Sequence, residues 1–117
     1  MLRFWRATIN SRNGLAFAIR SEQAIREELV ALVLAVPLAW LIGVTAMRRI
    51  ELIAAVVLVL IVELLNTAIE KLADRLTTEH DMQIGRVKDM GSAAVGVAIA
   101  LAGLFWLFSI AERVGAI

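Results

Sequence analysis

Three long apolar segments constrain this chain more than any other feature of its sequence. Residues 29–47 and 91–110 carry no charge, and residues 50–69 carry only Glu51 at the start and Glu63 in the interior. A helix of about 20 residues crosses the roughly 30 Å hydrocarbon core of a bilayer. The segments therefore predict three transmembrane helices, and with them an all-α membrane protein forming a single domain over residues 1–117.

The overall composition supports a membrane protein and excludes several kinds of site. Hydrophobic residues make up 61% of the chain, whereas about half is usual for a soluble domain. The chain has no cysteine, which excludes a disulfide framework and a cysteine-based zinc site, and its one histidine, His80, has no partner for a His-based metal site. It also lacks the G-x-x-x-x-G-K-[ST] phosphate loop. Any phosphoryl transfer would depend on carboxylates, a divalent cation and a lysine.

The distribution of lysine and arginine predicts the orientation. With three spans, the N-terminal segment and the 70–90 connection lie on the same side of the membrane. The first carries five basic residues and the second four, which is nine of the chain's twelve. The positive-inside rule places both segments in the cytoplasm.

Residues 1–28 mix apolar residues with basic and polar ones, which favours an amphipathic helix lying in the membrane interface with Trp5 at headgroup depth. Asn13-Gly14 is expected to break or bend this helix. The alternative is a mobile basic tail.

The third span is rich in small residues, with Ala94, Ala98 and Ala102 repeating every four positions. Such faces let helices approach closely in lipid. The sequence leaves open whether this face packs within one chain or between subunits.

The most informative stretch is VELLNTAIEKLADR, residues 62–75. On a helix, Asn66, Glu70 and Asp74 lie at about −60°, −20° and +20° from Glu63, so all four share one face. Ionisable residues inside a span are costly and usually functional. Glu63 is a candidate general base, and Glu70, nearer the surface, is a candidate ligand of a divalent cation. Alternatively, Glu63 only pairs with Asn66 or a basic residue to hold helices together.

Two further polar stretches flank the spans. In GRVKDMGSAAV, residues 85–95, Lys88 could contact phosphate oxygens and Asp89 could cap the third span. In SEQAIREE, residues 21–28, one of the glutamates could supply a metal ligand opposite Glu70. Taken alone, each stretch is equally compatible with an ordinary basic boundary residue or a solvated helix face.

VELLNTAIEKLADR followed by GRVKDMGSAAV resembles the small integral-membrane diacylglycerol kinases of bacteria, over nearly the whole chain. The resemblance implies a homotrimer in the inner membrane, with active sites between subunits. It also implies transfer of the γ-phosphoryl group of ATP, with Mg²⁺, to the hydroxyl of diacylglycerol, giving phosphatidic acid. No nucleic acid is expected among its partners.

The resemblance also implies roles for individual residues. Glu63 matches the general base, Asn66 a supporting amide, and Lys88 the lysine that contacts ATP phosphates. The remaining matches are the metal-binding carboxylates Glu22 and Glu70 and the nucleotide-site residues Asp89, Arg3 and Glu79. Asn10 and the stretch HDMQI, residues 80–84, depart from the family pattern at the adenosine end of the site.

Two alternatives remain open at this point. Undecaprenol kinases of the same family share the ELLNTAIE-like core, but the element VKDMGSAAV favours diacylglycerol over their AKDAAAGAV-like element. The non-enzymatic alternative is a small membrane scaffold or a transporter subunit that conducts ions along the acidic face. The first and third spans offer no ionisable residue to continue such a path.

Overall fold

The chain folds into four α-helices in a computed structural model that describes residues 2–77 and 79–117. The helices are α1 (Leu2–Ser21), α2 (Gln23–Ile42), α3 (Ala46–Leu76) and α4 (Met82–Arg113). Helix α3 packs against both α2 and α4, and α1 makes a smaller contact with α2. The prediction of an all-α protein is confirmed.

Helices α3 and α4 are the two, among the described residues, that are long and apolar enough to cross a membrane by length and composition. At 31 and 32 residues and 1.5 Å per residue, each is about 45–50 Å long. Each extends beyond a hydrocarbon core of roughly 30 Å. A helix of this length that crosses a bilayer has ends in the interface or in water, and Glu70 and Asp74 lie in the C-terminal part of α3.

Helix α2 differs from the first predicted span. It begins at Gln23 and ends at Ile42, so the predicted segment 29–47 is interrupted at residues 43–45, and its last two residues already belong to α3. The amide of Gly43 donates to the carbonyl of Ala39 at 2.9 Å and closes the helix. Thr45 then caps α3 by accepting a hydrogen bond from the amide of Arg48 at 3.1 Å. The uncharged part of α2, from Leu29 to Ile42, is shorter than the usual spanning length.

The predicted break at Asn13-Gly14 was wrong. Helix α1 runs through both residues, and Gly115 is the one residue with positive φ in the described chain. A glycine inside a helix costs only about 1 kcal/mol relative to alanine, so surrounding helix formers carry α1 across it. The break occurs at Glu22, whose backbone is extended (φ −123°, ψ 118°) between α1 and α2.

Small residues form the contact between α3 and α4. Ala55 and Val59 of α3 pack with Ala98 and Ala102 of α4, so two members of the predicted small-residue face are used within the chain. The indole Nε1 of Trp106 donates to the backbone carbonyl of Leu52 at 3.2 Å. Many large apolar side chains are exposed instead, as expected where lipid or another subunit is the neighbour.

Ion pairs mark the two ends of the bundle. At one end, Arg48 contacts Glu112 at 2.9 Å and Glu51 at 3.0 Å. At the other end, Lys71 contacts Glu22 at 2.7 Å. The α1–α2 junction therefore lies beside the C-terminal part of α3, in agreement with the predicted common side of the N-terminal segment and the 70–90 connection.

Candidate functional site

The acidic face of α3 is the centre of the candidate site. Glu63 is half-buried, Asn66 is buried at 9% exposure, and Glu70 is exposed. The side-chain amide Nδ2 of Asn66 donates to Oε1 of Glu70 at 3.2 Å. The face thus passes from a shielded carboxylate to an accessible one within two helical turns, with the amide orienting the accessible carboxylate.

Gly91 of α4 makes room for Asn66. A Cβ atom at residue 91 would overlap Oδ1 of Asn66 and lie 3.3 Å from its Cγ. The same Oδ1 is buried with no hydrogen-bond partner among the described residues. The Asn66 amide is therefore held against the backbone of α4, with its donor directed to Glu70 and its acceptor unused.

A second carboxylate approaches Glu63 from α2. Burial raises the pKa of Glu28, and the negative charges of Glu63 and then Glu27 raise it further. Glu28 belongs to the SEQAIREE stretch, where its role was left open. The structure places it close enough to Glu63 for the negative charge of Glu63 to act on it.

Glu22, a predicted metal ligand, forms an ion pair with Lys71, the residue after Glu70 in the sequence. Across residues 2–77 and 79–117, no three His, Cys, Asp or Glu side chains cluster closely enough to hold a metal ion. Glu22 and Glu70 alone therefore do not complete a coordination shell. Mg²⁺ commonly binds through one or two carboxylates, with substrate phosphates and water completing its shell. The carboxylate pair fits that kind of site.

A polar groove of about 630 Å³ lies where α3 connects to α4. Lys88 lines it and pairs with Asp74 of the acidic face. Glu79, His80 and Asp81 line the other side. Oδ1 of Asp81 also caps α4 by accepting from the amides of Gln83 at 2.9 Å and Ile84 at 3.1 Å. The groove contains one lysine and three carboxylates, and Asp81 already occupies the first amides of α4, so an anionic ligand there would need a divalent cation to offset the carboxylate charge.

The structure brings some predicted residues together and leaves others apart. Glu63, Asn66 and Glu70 share one face, and Lys88 and Glu79 line one groove. Asp89 and Arg3 are exposed, and neither is among the residues that line the groove. Their assignment to the nucleotide remains a prediction.

The sequence interpretation missed Lys71 and Gly91. Lys71 lies about 80° around α3 from Glu63, outside the acidic face, so helical geometry gave no reason to connect it with Glu22. Gly91 did carry a signal, because a glycine inside a helix often marks a close approach of another group.

Fold and site together define an all-helical membrane protein whose carboxylates and lysine lie towards one end of the helical bundle. The sequence profile described as prokaryotic diacylglycerol kinase matches residues 9–110. The chain belongs to the prokaryotic diacylglycerol kinase family.

Named relatives cover most of the chain. This chain is 49% identical over 96 residues to the diacylglycerol kinase of Escherichia coli (strain K12), and the alignment covers 82% of this chain and 79% of that protein. It is 39% identical over 100 residues to the Haemophilus influenzae diacylglycerol kinase, covering 86% and 85%. The Pseudomonas aeruginosa diacylglycerol kinase is 40% identical over 104 residues, covering 89% and 85%.

Proposed function

We propose that this protein is an ATP-dependent diacylglycerol kinase, which transfers the γ-phosphoryl group of ATP to the free hydroxyl of diacylglycerol to give phosphatidic acid and ADP. The observation that carries the proposal is the acidic face of α3. It connects a half-buried carboxylate, Glu63, with the polar groove that Lys88 lines. Family membership and relatives named as diacylglycerol kinases support the same reaction.

The positions of Glu63, Asn66 and Lys88 support the roles proposed for them. Glu63, shielded by the bundle, accepts the proton of the lipid hydroxyl as general base. Asn66 fixes the orientation of Glu70 through its amide donor. Lys88 contacts phosphate oxygens and offsets the negative charge that develops on them. Arg3, Glu79 and Asp89 are assigned to the nucleotide.

Glu22 and Glu70 would hold Mg²⁺, which neutralises phosphate charge during phosphoryl transfer. Both are hard oxygen donors of the kind this ion prefers. Because Oε1 of Glu70 accepts from Asn66, its other oxygen remains available to the cation.

We place three spans in each subunit and assemble the subunits as a homotrimer in the inner membrane. Support for α2 as a span comes from its exposed apolar side chains, among them Val30, Val33 and Leu41, which need lipid or protein cover. The N-terminus and the 70–90 connection are cytoplasmic because most of the basic residues lie there. The active sites form between subunits, which would bring distant groups such as Arg3 to a neighbour's site.

Diacylglycerol, rather than undecaprenol, is the proposed acceptor. The sequence VKDMGSAAV precedes and enters the apolar part of α4, and it differs from the AKDAAAGAV-like element of undecaprenol kinases, which favours diacylglycerol. The relatives named above are all diacylglycerol kinases.

The test uses purified full-length protein in mixed micelles with Mg²⁺ and γ-labelled ATP, with diacylglycerol and undecaprenol offered separately. Label should enter phosphatidic acid preferentially. Glu63→Gln should abolish labelling while the protein remains folded, because the amide cannot accept the proton. Glu27→Gln is the matched control, because Glu27 is exposed and contacts Gln23 on its own helix.

The other outcomes are equally informative. Label mainly in undecaprenyl phosphate would overturn the acceptor but keep the site. Near-normal activity of Glu63→Gln would overturn the assigned base. Label in neither lipid, with folded protein, would overturn the kinase proposal and favour the scaffold alternative.

A further inference from the structure

One side chain joins three elements at the candidate metal site. Lys71 extends from α3, and its Nζ lies 2.7 Å from Oε1 of Glu22. The same Nζ lies 5.1 Å from the centroid of the Phe17 ring on α1, within the range of a cation–π contact. Lys71 thus connects α3 to α1 and to the extended residue between α1 and α2.

The contact between Lys71 and Glu22 lies at the junction between α1 and α2. Glu22 is the extended residue at which α1 ends and α2 begins, and its side chain makes no capping hydrogen bond to α2. Its side-chain contact is instead the ion pair with Lys71. The angle between α1 and α2 is therefore coupled to whether the Lys71–Glu22 pair is made.

Lys71 and a divalent cation would both bind the carboxylate of Glu22, whose Oε1 contacts Lys71. Mg²⁺ binds carboxylate oxygens at about 2.0–2.1 Å, and an ammonium group 2.7 Å from that carboxylate would repel it. Lys71 also directly follows Glu70, the other carboxylate assigned to the metal. A cation shared by Glu22 and Glu70 would bind against the repulsion of this ammonium group unless the ammonium group moved away.

We propose that Lys71 is a positioning residue that competes with the divalent cation for Glu22, holding α1 against α3 until the cation displaces it. The inference rests on the proposed function, which assigns Glu22 to the metal. Displacement of Lys71 by the cation would couple metal binding to the release of α1. The two Lys71 contacts are broken together, which frees the N-terminal helix to move when the cation enters.

The solvent exposure of the Lys71 and Glu22 side chains determines how strongly the pair affects cation binding. The Lys71 and Glu22 side chains are 43% and 30% exposed, so solvent screens the pair. A partly exposed pair of this kind changes an equilibrium constant by about two- to fivefold. Lys71→Met should therefore tighten cation binding by that factor, since methionine keeps the apolar length of the side chain without its charge.

The first measurement is Mn²⁺ binding to detergent-solubilised full-length protein, followed by the electron paramagnetic resonance signal of free Mn²⁺ without ATP or lipid. Lys71→Met should bind Mn²⁺ about two- to fivefold more tightly, and Lys71→Arg should behave like the wild type. Arg75→Met is the matched control. It removes a positive charge one turn further along α3, so it should tighten binding much less.

The second measurement follows α1. The sequence contains no cysteine, so Ser21→Cys provides a single nitroxide attachment site beside the junction. Mg²⁺ should increase the mobility of this label in the wild type. Lys71→Met should increase it without Mg²⁺ and leave little further response. A lysine that only stabilises the fold would give no Mg²⁺-dependent change.

The outcomes separate this inference from the proposed function. Unchanged or weaker Mn²⁺ binding by Lys71→Met, while Glu22→Gln loses binding, would refute the competition alone. Unchanged binding by Glu22→Gln would refute the metal assignment on which it rests. Transfer of label to diacylglycerol is measured independently and decides the kinase reaction itself.

Discussion

The contact between Gly91 and Asn66 gives the sharpest prediction about the site. Gly91→Ala adds one methyl group where it would overlap Oδ1 of Asn66. To restore ordinary van der Waals contact, the amide must move by roughly 1 Å. The Asn66–Glu70 hydrogen bond is already 3.2 Å long, so a displacement of that size breaks it.

Two opposing contributions determine how Gly91→Ala changes the free energy of unfolding. Alanine is favoured over glycine inside a helix by about 1 kcal/mol, whereas overpacking a close contact costs about 1–3 kcal/mol. The net change in the free energy of unfolding is therefore small, from about zero to 2 kcal/mol of destabilisation. The effect on catalysis is larger, because a misplacement of about 1 Å in an active site can lower the rate about 100-fold.

The assay compares initial rates of diacylglycerol phosphorylation and the midpoint of thermal unfolding in the same detergent. Gly96→Ala is the matched control, since a Cβ there meets nothing within 4 Å. Gly91→Ala should lose about 10- to 100-fold in kcat with a modest change in midpoint, and Gly96→Ala should retain activity.

A double-mutant cycle with Asn66→Ala tests the cause. Removing the amide relieves the overlap, so Asn66→Ala should restore the stability of Gly91→Ala without restoring its activity. Wild-type activity of Gly91→Ala, or equal losses from Gly91→Ala and Gly96→Ala, would refute the argument that Gly91 positions Asn66.

Two further predictions concern the bundle around the site. Trp106→Phe removes the hydrogen bond to the Leu52 carbonyl and should cost about 0.5–1.5 kcal/mol in denaturant unfolding, with kinase activity unchanged. An unaltered free energy of unfolding in Trp106→Phe would contradict this prediction. Burial, then repulsion from Glu63 and Glu27, raises the pKa of Glu28. The folded state therefore holds that proton more tightly than the unfolded state, and stability is lost as pH rises through the raised pKa. Glu28→Gln should remove this loss, so its unfolding midpoint relative to the wild type should rise between acidic and neutral pH. A difference in unfolding midpoint between Glu28→Gln and the wild type that does not change with pH would refute this explanation.

Apolar composition and helical periodicity account for the parts of the fold that the sequence predicts. Uncharged apolar runs indicated the helices because lipid imposes a length and excludes unpaired charge. Helical period alone placed Glu63, Asn66 and Glu70 on one face, and the structure adds the hydrogen bond between the last two. These features depend on one helix at a time.

The features that sequence did not predict depend on two or more helices. The break at Glu22, rather than at Asn13-Gly14, coincides with a contact to Lys71 on another helix. Turn propensity at Asn13-Gly14 is a local preference of about 1 kcal/mol, which the helical neighbours overcome. The fit of Gly91 to Asn66 likewise exists only once α3 and α4 are packed.

The position of α1 relative to the site links these observations. The family resemblance predicts that Arg3 contacts the nucleotide, yet Arg3 lies in the first turn of α1, an exposed helix whose Phe17 contacts Lys71 of α3. If the Lys71–Glu22 pair gives way to a cation, α1 is freed at its C-terminal end while remaining attached to α2. Metal entry would then be the step that allows Arg3 to reach a nucleotide, in its own subunit or a neighbour's. A single ion pair can in this way couple assembly of the metal site to assembly of the nucleotide site.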